Sequence, residues 1–299
     1  MNKIIECVPN FSEGRDLDKV EKIVDCFRAK KGVKLLDYSS DPEYNRSVVT
    51  VVGEPEALKE AVFQSVKKAI EVIDMNQQSG QHPRMGAVDV VPFIPVKNVT
   101  VEEASELATA FGQRVGEELN LPVYLYEKSA SATYRSNLSK IRKGEYEGLT
   151  KKMESPKWKP DFGGDKPHPT AGAVVTGARE FLIAWNINLA TTDLSIADKI
   201  AKKIRHLSGG MRFTKAMGIE IKERNMVQVS INMTNFKKTS LYSVFELVKI
   251  EARRYGVNVT GSEVVGLMPL GALVDTTEYY LGLEGFSIDQ VLEYKLLEE

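Results

Sequence analysis

The sequence predicts an α+β fold made of two related α/β subdomains, a duplicated split β-α-β unit. Three observations carry that expectation. In the first half, apolar segments at strand spacing and at helical spacing follow one another in the order β-α-β-β-α-β. The same order recurs in the second half. Matched residues keep near-equal offsets, Asn188 lying 178 positions after Asn10, Phe245 lying 182 after Phe63 and Pro269 lying 174 after Pro95. At 299 residues the chain has roughly two domain-lengths of about 150 each. The expected subdomains are residues 1–178 and 179–299.

Ile4 to Val8 reads as a short apolar strand ended by Pro9 and Asn10, and the turn Ser12-Glu13-Gly14 precedes Leu17, Val20, Val24 and Phe27 at helical spacing. Lys34 to Asp37 and Ser47 to Val52 are expected strands on either side of a polar loop, DYSSDPEYN. Pro55 opens a helix whose Leu58, Val62, Val66, Ile70 and Ile73 share one face. After the loop NQQSGQHPRMG comes the apolar strand Ala87 to Val96. Thr100 and Glu103 have capping-box spacing ahead of a helix marked by Leu107, Phe111, Val115 and Leu119, and Pro122 to Tyr126 follows as a strand. Between Thr150 and Ala171, prolines and glycines are too dense for regular structure, but Trp158, Phe162 and Lys166 favour an ordered loop over a featureless linker. In the second half, Phe181 to Leu189 and Val227 to Met233 read as strands. Ile196, Ile200 and Ile204 mark one helix, and Leu241, Val244, Phe245, Val248 and Ala252 mark another. The motif VVGLMP at Val264 to Pro269 stands where the first half has VVPFIP at Val90 to Pro95.

Composition narrows the function. Forty Lys and Arg against 41 Asp and Glu give a formal net charge of −1, which supplies no global field for nucleic acid or an anionic membrane. Anionic ligands must therefore meet a local cluster of bases. No apolar run approaches the ~18 residues that cross a bilayer, and MNKIIECVPNFSEG has no apolar signal core, so a cytoplasmic protein is expected. Cys7 and Cys26 lie in no CxxC or Cys/His cluster, and reduced thiols are expected. With three histidines and no HExxH, no metal site is expected. No GxGxxG or P-loop is present.

His82 is the leading candidate for proton chemistry. Pro83 holds it extended, Gly80 and Gly86 flank its turn, and Arg84 lies nearby; the same pattern also fits a solvated loop histidine. His168, between Pro167 and Pro169, is equally stiff, whereas His206 suits a helix C-terminus. Asn10, Asn45, Asn186 and Asn188 stand at strand ends, where an amide can grip a polar ligand or close a turn. Arg46, Arg84 and Lys215 could clamp carboxylates or be solvated. Gly163 and Gly164 in DFGGDKPHPTAG could admit close approach to a flat ligand. Cys7 reads as a small buried hydrophobe.

The blocks ECVPNFSEGRD, Asn45-Arg46, GQHPRMGAVDVVPFIPV, AFGQRVGEELNLPVYLY, PDFGG, TGAREFLIAWNINL and VVGLMPL resemble the glutamate formimidoyltransferase family, in its stand-alone form, over essentially the whole chain. The resemblance implies two α/β subdomains whose sheets face each other with helices outside and substrates between them. It implies transfer of a formimino group between N-formimino-L-glutamate and tetrahydrofolate in histidine degradation, with tetrahydrofolate as co-substrate and no metal. The family's catalytic histidine falls on His82, and its folate-contacting segment on Gly163, Gly164, Asp165, Lys166, Pro167, His168, Pro169, Thr170, Ala171 and Gly172. With substrate carboxylates to bind, Arg46, Arg84 and Lys166 gain a role, and Asn10 and Asn188 join them as expected substrate contacts. A histidine near neutral pKa could take a proton from the attacking amine and return it to the leaving nitrogen. Animal members carry an acid at the position of Ser39; here the nearby acids are Asp37 and Asp41. A homodimer, and association with a separate cyclodeaminase, are implied by the family alone. Two other readings are a formyltransferase using 5-formyltetrahydrofolate, whose reaction would develop an oxyanion, and a folate-binding partner without catalysis.

Overall fold

The computed structural model describes residues 3–80 and 82–296, which form two compact units divided between Arg179 and Glu180. The first unit contains β1 (Ile4–Cys7), β2 (Asn10–Phe11), α1 (Leu17–Val24), β3 (Val33–Asp41), β4 (Arg46–Gly53), α2 (Pro55–Val72), β5 (Val88–Lys97), α3 (Val101–Leu119), β6 (Val123–Leu125), α4 (Leu138–Arg142), α5 (Leu149–Met153) and β7 (Val174–Ala178). The second contains β8 (Ile183–Leu189), α6 (Leu194–Ile204), β9 (Thr214–Ile221), β10 (Met226–Met233), α7 (Leu241–Arg253), β11 (Val259–Val265), α8 (Leu270–Leu281) and α9 (Leu292–Leu296).

The two units share a topology. In the first, β4 pairs with β3 and β1, and β1 pairs with β5, all antiparallel. In the second, β10 pairs with β9 and β8, and β8 pairs with β11, again all antiparallel. Both are the split β-α-β order that the offsets predicted. The first unit then adds β7 and β6, joined to β5 in parallel. Short β2 continues the line of β1 past Pro9, pairing with both β4 and β5.

Alternation decides which face each side chain takes. Along β1, Ile5 and Cys7 are buried in the core formed with α1, α2 and α3, while Ile4 and Glu6 take the other face. Phe93 on β5 meets Phe111 on α3 edge to face at 5.4 Å. The capping box that opens α3 is present: Glu103 N–H donates to Thr100 Oγ1 at 3.1 Å, and Thr100 N–H donates to the Glu103 carboxylate at 2.8 Å. On the opposite face of the sheet, Ile141 of α4 with Leu149 and Met153 of α5 pack with Val90, Tyr124 and Val175. In the second unit, Ile183, Trp185, Ile187 and Leu189 of β8 pack against α6 and α7, leaving Asn186 and Asn188 on the other face.

Several elements differ from the sequence reading. Four residues of the expected polar loop, Tyr38 to Asp41, extend β3, since pairing with β4 satisfies their backbone and the Ser40 and Ser47 hydroxyls bond at 2.8 Å. The turn is left to Pro42 through Asn45, with Asn45 in the left-handed region at φ 49°. Of VVGLMP, only Val264 and Val265 are strand; Gly266 at φ 76° ends β11. The sequence reading left out β2, β7, β9, α4, α5, α8 and α9. β7 is five residues long and wholly buried, so no alternation betrays it, and α4 and α5 are too short to show a helical period.

Candidate functional site

The His82 loop is held from three sides. Asn45 accepts from Gly14 N–H at 2.9 Å, donates to Ser79 C=O at 3.0 Å and bonds the Gln78 side chain, so one amide joins three turns. Buried Glu13 accepts from the backbone N–H groups of Arg15 and Asp16, each at 3.0 Å, and from Gln78 Nε2 at 2.8 Å. Beyond the histidine, Met85 N–H donates to Asp89 Oδ1 at 3.1 Å. Asp89 is 1% exposed and also takes a forked pair of bonds from Arg142, at the end of α4.

The glycine-bearing segment is stitched to this loop. Ala87 N–H donates to Ala171 C=O at 3.0 Å and Ala173 N–H to Met85 C=O at 3.2 Å, while Met75 N–H donates to Thr170 C=O at 2.7 Å. Gly172, at φ 68°, lies so close to Met85 C=O that a Cβ there would collide with it. His168 closes the turn from within: its Nδ1 accepts Ala171 N–H at 3.1 Å, and its backbone pairs with Gly172. Burial pushes the His168 pKa down, in keeping with this acceptor role. The segment's other end points elsewhere. Gly163, at φ 81°, packs on Leu121 and Pro122, while Asp165 and Lys166 are exposed, Asp165 reaching Lys159 at 3.4 Å.

His82 itself is 8% exposed. Among the described residues no carboxylate lies within ion-pairing distance of its ring, so neither Asp37 nor Asp41 orients it here; Asp41 instead accepts the N–H groups of Glu43 and Tyr44, each at 2.9 Å. Burial, followed by the positive charges of Arg46, Arg142 and Arg84, pushes its pKa down to about 2. The ring is therefore neutral, a proton acceptor whose charged form the bare protein disfavours. That lies below the near-neutral value expected from the sequence, chiefly because the ring is buried and then because three guanidiniums act on it.

Those arginines differ in their partners. Arg84 is buried and spends its fork on Glu145 at 3.1 Å, Glu147 at 2.7 Å and Gln78 C=O at 3.2 Å. Its fork is thus already engaged by acids of the protein itself. Arg142 is taken by Asp89. Arg46 differs in forming no ion pair among the described residues; its Nε–H, like that of Arg84, is buried without a hydrogen-bond partner. Burial, then Arg142, pushes its pKa down against the opposing charges of Asp89 and Asp41. Ser39, Val48, Asn10 and Val90 form one cross-strand row, and Arg46 lies two residues from Val48 on the same face. The Asn10 amide donates to Val8 C=O at 3.0 Å. Asn188 belongs to the second unit, where it accepts from Gln228 at 2.7 Å and Gln228 also donates to Glu263 at 2.9 Å. Asn186 donates to Glu263 at 3.2 Å, Lys215 lies exposed on β9, and His206 lies outside α6 on the following turn. Cys7 is fully buried and its thiol pKa is pushed well up by that burial, which suits a core residue.

Sequence reasoning brought out His82, Asn45, Arg46 and the glycine segment, but not Glu13, Gln78, Asp89, Arg142, Glu145 or Glu147. Asp89 did leave a signal, an acid inside the apolar run AVDVVPFIPV. Among the described residues no group of three or more His, Cys, Asp or Glu side chains is placed to hold a metal ion, and no helix is long and apolar enough to cross a membrane.

Comparison with known proteins adds the context. Residues 4–179 match the N-terminal subdomain of the formiminotransferase domain, and residues 184–296 match the formiminotransferase domain. The chain is similar to a glutamate formimidoyltransferase of Streptococcus pyogenes serotype M1, with 51% identity over 99% of this chain and 100% of that one. It is similar to a glutamate formimidoyltransferase of Thermoplasma acidophilum, with 48% identity over 98% of this chain and 97% of that one. A formimidoyltransferase-cyclodeaminase of Mus musculus is 45% identical over 95% of this chain, which covers 53% of the mouse protein.

Proposed function

Since the chain belongs to the formiminotransferase family, we propose that it is a one-carbon transferase that moves a formimino group between N-formimino-L-glutamate and tetrahydrofolate, with His82 as the proton carrier. One observation supports this reading above the others. A buried, neutral imidazole sits on a loop whose backbone is bonded to the 170–173 segment, so the base and the glycine-bearing turn form one local structure.

The chemistry follows from that arrangement. The N5 amine of tetrahydrofolate attacks the amidine carbon, forming a C–N bond and giving its proton to the His82 imidazole. The tetrahedral adduct then breaks its bond to the glutamate nitrogen, which leaves carrying the proton returned by His82. The products are 5-formiminotetrahydrofolate and glutamate. A positioned base of this kind contributes typically 10²–10⁴-fold, and holding both reactants together contributes the larger share. In this reading Gly163 to Gly172 borders the folate, with Gly172 leaving room where a side chain would block the turn. Asn10 supplies an amide contact to substrate.

The reading extends to a cytoplasmic homodimer, and to a cyclodeaminase as consumer of the product. The relatives whose names join both activities in one chain support that last point. The test is a steady-state assay with formiminoglutamate and formylglutamate in parallel, each with tetrahydrofolate. Formimino transfer is expected, and absence of any folate product from either donor overturns the reading. His82→Ala is expected to lose about 10²–10⁴-fold in kcat while keeping folate affinity within about threefold; full turnover in that variant would remove the histidine from the mechanism.

A further inference from the structure

The arginines near His82 are unequal in a way the reaction alone does not explain. The charged groups around that ring are Arg46 on β4, Arg84 on its own loop, Arg142 on α4, Asp89 on β5, and Glu145 and Glu147 in the turn after α4. Glu13 and Asp41 lie on the neighbouring turns, but Glu13 is committed to backbone amides, Gln78 and Lys19 at 3.7 Å, and Asp41 to the amides of its own turn. Two of the three guanidiniums thus have acids of their own. Among the described residues Arg46 forms no ion pair; its guanidinium lies 6.0 Å from the centre of the Tyr44 ring, and its buried Nε–H, like that of Arg84, has no hydrogen-bond partner.

Arg46 is half-buried and senses Asp89 and Asp41 only from beyond ion-pairing distance, so a bound carboxylate would give it the direct partner it lacks. The planar fork matches a carboxylate through two parallel N–H bonds. Arg46 shares its sheet face with Asn10, and the His82 ring senses its charge.

We propose that Arg46 is the seat of a carboxylate of the amino-acid substrate, and that the carboxylate held there completes the charge balance around His82. The inference rests on the transfer reaction proposed above. It adds that the substrate prepares its own base. Without an anion, burial and three positive charges oppose protonation of the ring; a carboxylate on Arg46 cancels one of them and lets the imidazole keep the proton it takes from the attacking amine. A formimino donor lacking the carboxylate would then react slowly even when saturating.

The experiment uses the full chain labelled with ¹⁵N-histidine. Three histidines give few signals, and His82→Asn assigns the one in question. Ring nitrogens are followed from pH 5 to 8 without ligand and with saturating glutamate, which cannot turn over in the absence of folate. The His82 signal is expected to stay flat in the free protein and to titrate within that window once glutamate is bound. Arg46→Gln should weaken glutamate binding by about 10- to 100-fold, abolish the glutamate-dependent titration and lower kcat as well as kcat/KM. Arg46→Lys should recover part of each, and serves in its place if the glutamine variant does not fold. Identical His82 titration with and without glutamate, or unchanged glutamate affinity in both variants, overturns the inference. Wild-type transfer together with either of those results sinks the role of Arg46 alone, whereas absence of transfer by the wild type sinks the reaction.

Discussion

A proton placed on His82 must share a buried space with three guanidiniums, and that has a thermodynamic signature apart from catalysis. The folded pKa is pushed down to about 2 from an ordinary value of 6.5. Above pH 6.5 the ring is neutral in both folded and unfolded chains and pH has no effect through it. Below pH 6.5 the unfolded chain takes up a proton that the folded one refuses, so stability falls as pH falls through that window, by at most about 1.4 kcal/mol per unit. His82→Asn removes this dependence. Urea unfolding at pH 6.5 and 5 should show the wild type losing about 1–2 kcal/mol relative to the variant; parallel curves would mean that the ring is not so strongly disfavoured as a cation. Asp89→Asn tests the neighbouring charge. It strips Arg142 of its acid in a nearly closed site and is expected to cost about 3–5 kcal/mol in the same assay. His82 was legible because Pro83 and the flanking glycines are local signals. Arg142 was not, because its importance comes from Asp89, 53 positions earlier, and no local pattern joins them.

Among the elements, α4 shows how little helix is needed to deliver one side chain. It spans only Leu138 to Arg142, too short to be stable through its own hydrogen bonds. Lys152 secures its C-terminal end: the ammonium donates to the carbonyls of Lys140 and Lys143, each at 3.0 Å, and to that of Ile141, and it lies 4.2 Å from the centre of the Trp158 ring. Burial, then Lys143, pushes its pKa down to about 8. Lys152→Met keeps the stem and removes the donor. It is expected to cost about 1–3 kcal/mol and to speed amide exchange across residues 138–149 more than elsewhere, with unaltered exchange there counting against the anchoring role. Longer elements could be read from the sequence in proportion to their regularity. The Thr100 and Glu103 box marked the start of α3, and the face of Leu58, Val62 and Val66 marked α2. β3 overran its expected end because serine and aspartate read as loop formers, while pairing with β4 held them extended.

At the scale of the molecule, the repeat was legible because it is written in order and spacing, which survive when individual residues change. The halves nevertheless differ in what they carry. The stretch from α3 to β7 belongs to the first unit alone, and it provides Arg142, Glu145, Glu147 and the glycine segment. Every group named around His82 thus lies within residues 3–179, and the hydrophobic clusters of that unit are built from its own residues. A fragment of residues 1–179 is therefore expected to fold by itself, with a single cooperative urea transition by circular dichroism and the same acid-side loss of stability that His82 confers on the whole chain; a broad, non-cooperative transition would refute this. The joint between the His82 loop and the 168–173 turn has a mechanical meaning as well. Close approach at Gly172 and paired backbone bonds tie residues 85–87 to residues 168–173, so these two segments are expected to move as a single stiff lever. The conformational entropy of both is surrendered once, when the chain folds, and neither substrate has to freeze a floppy loop as it arrives.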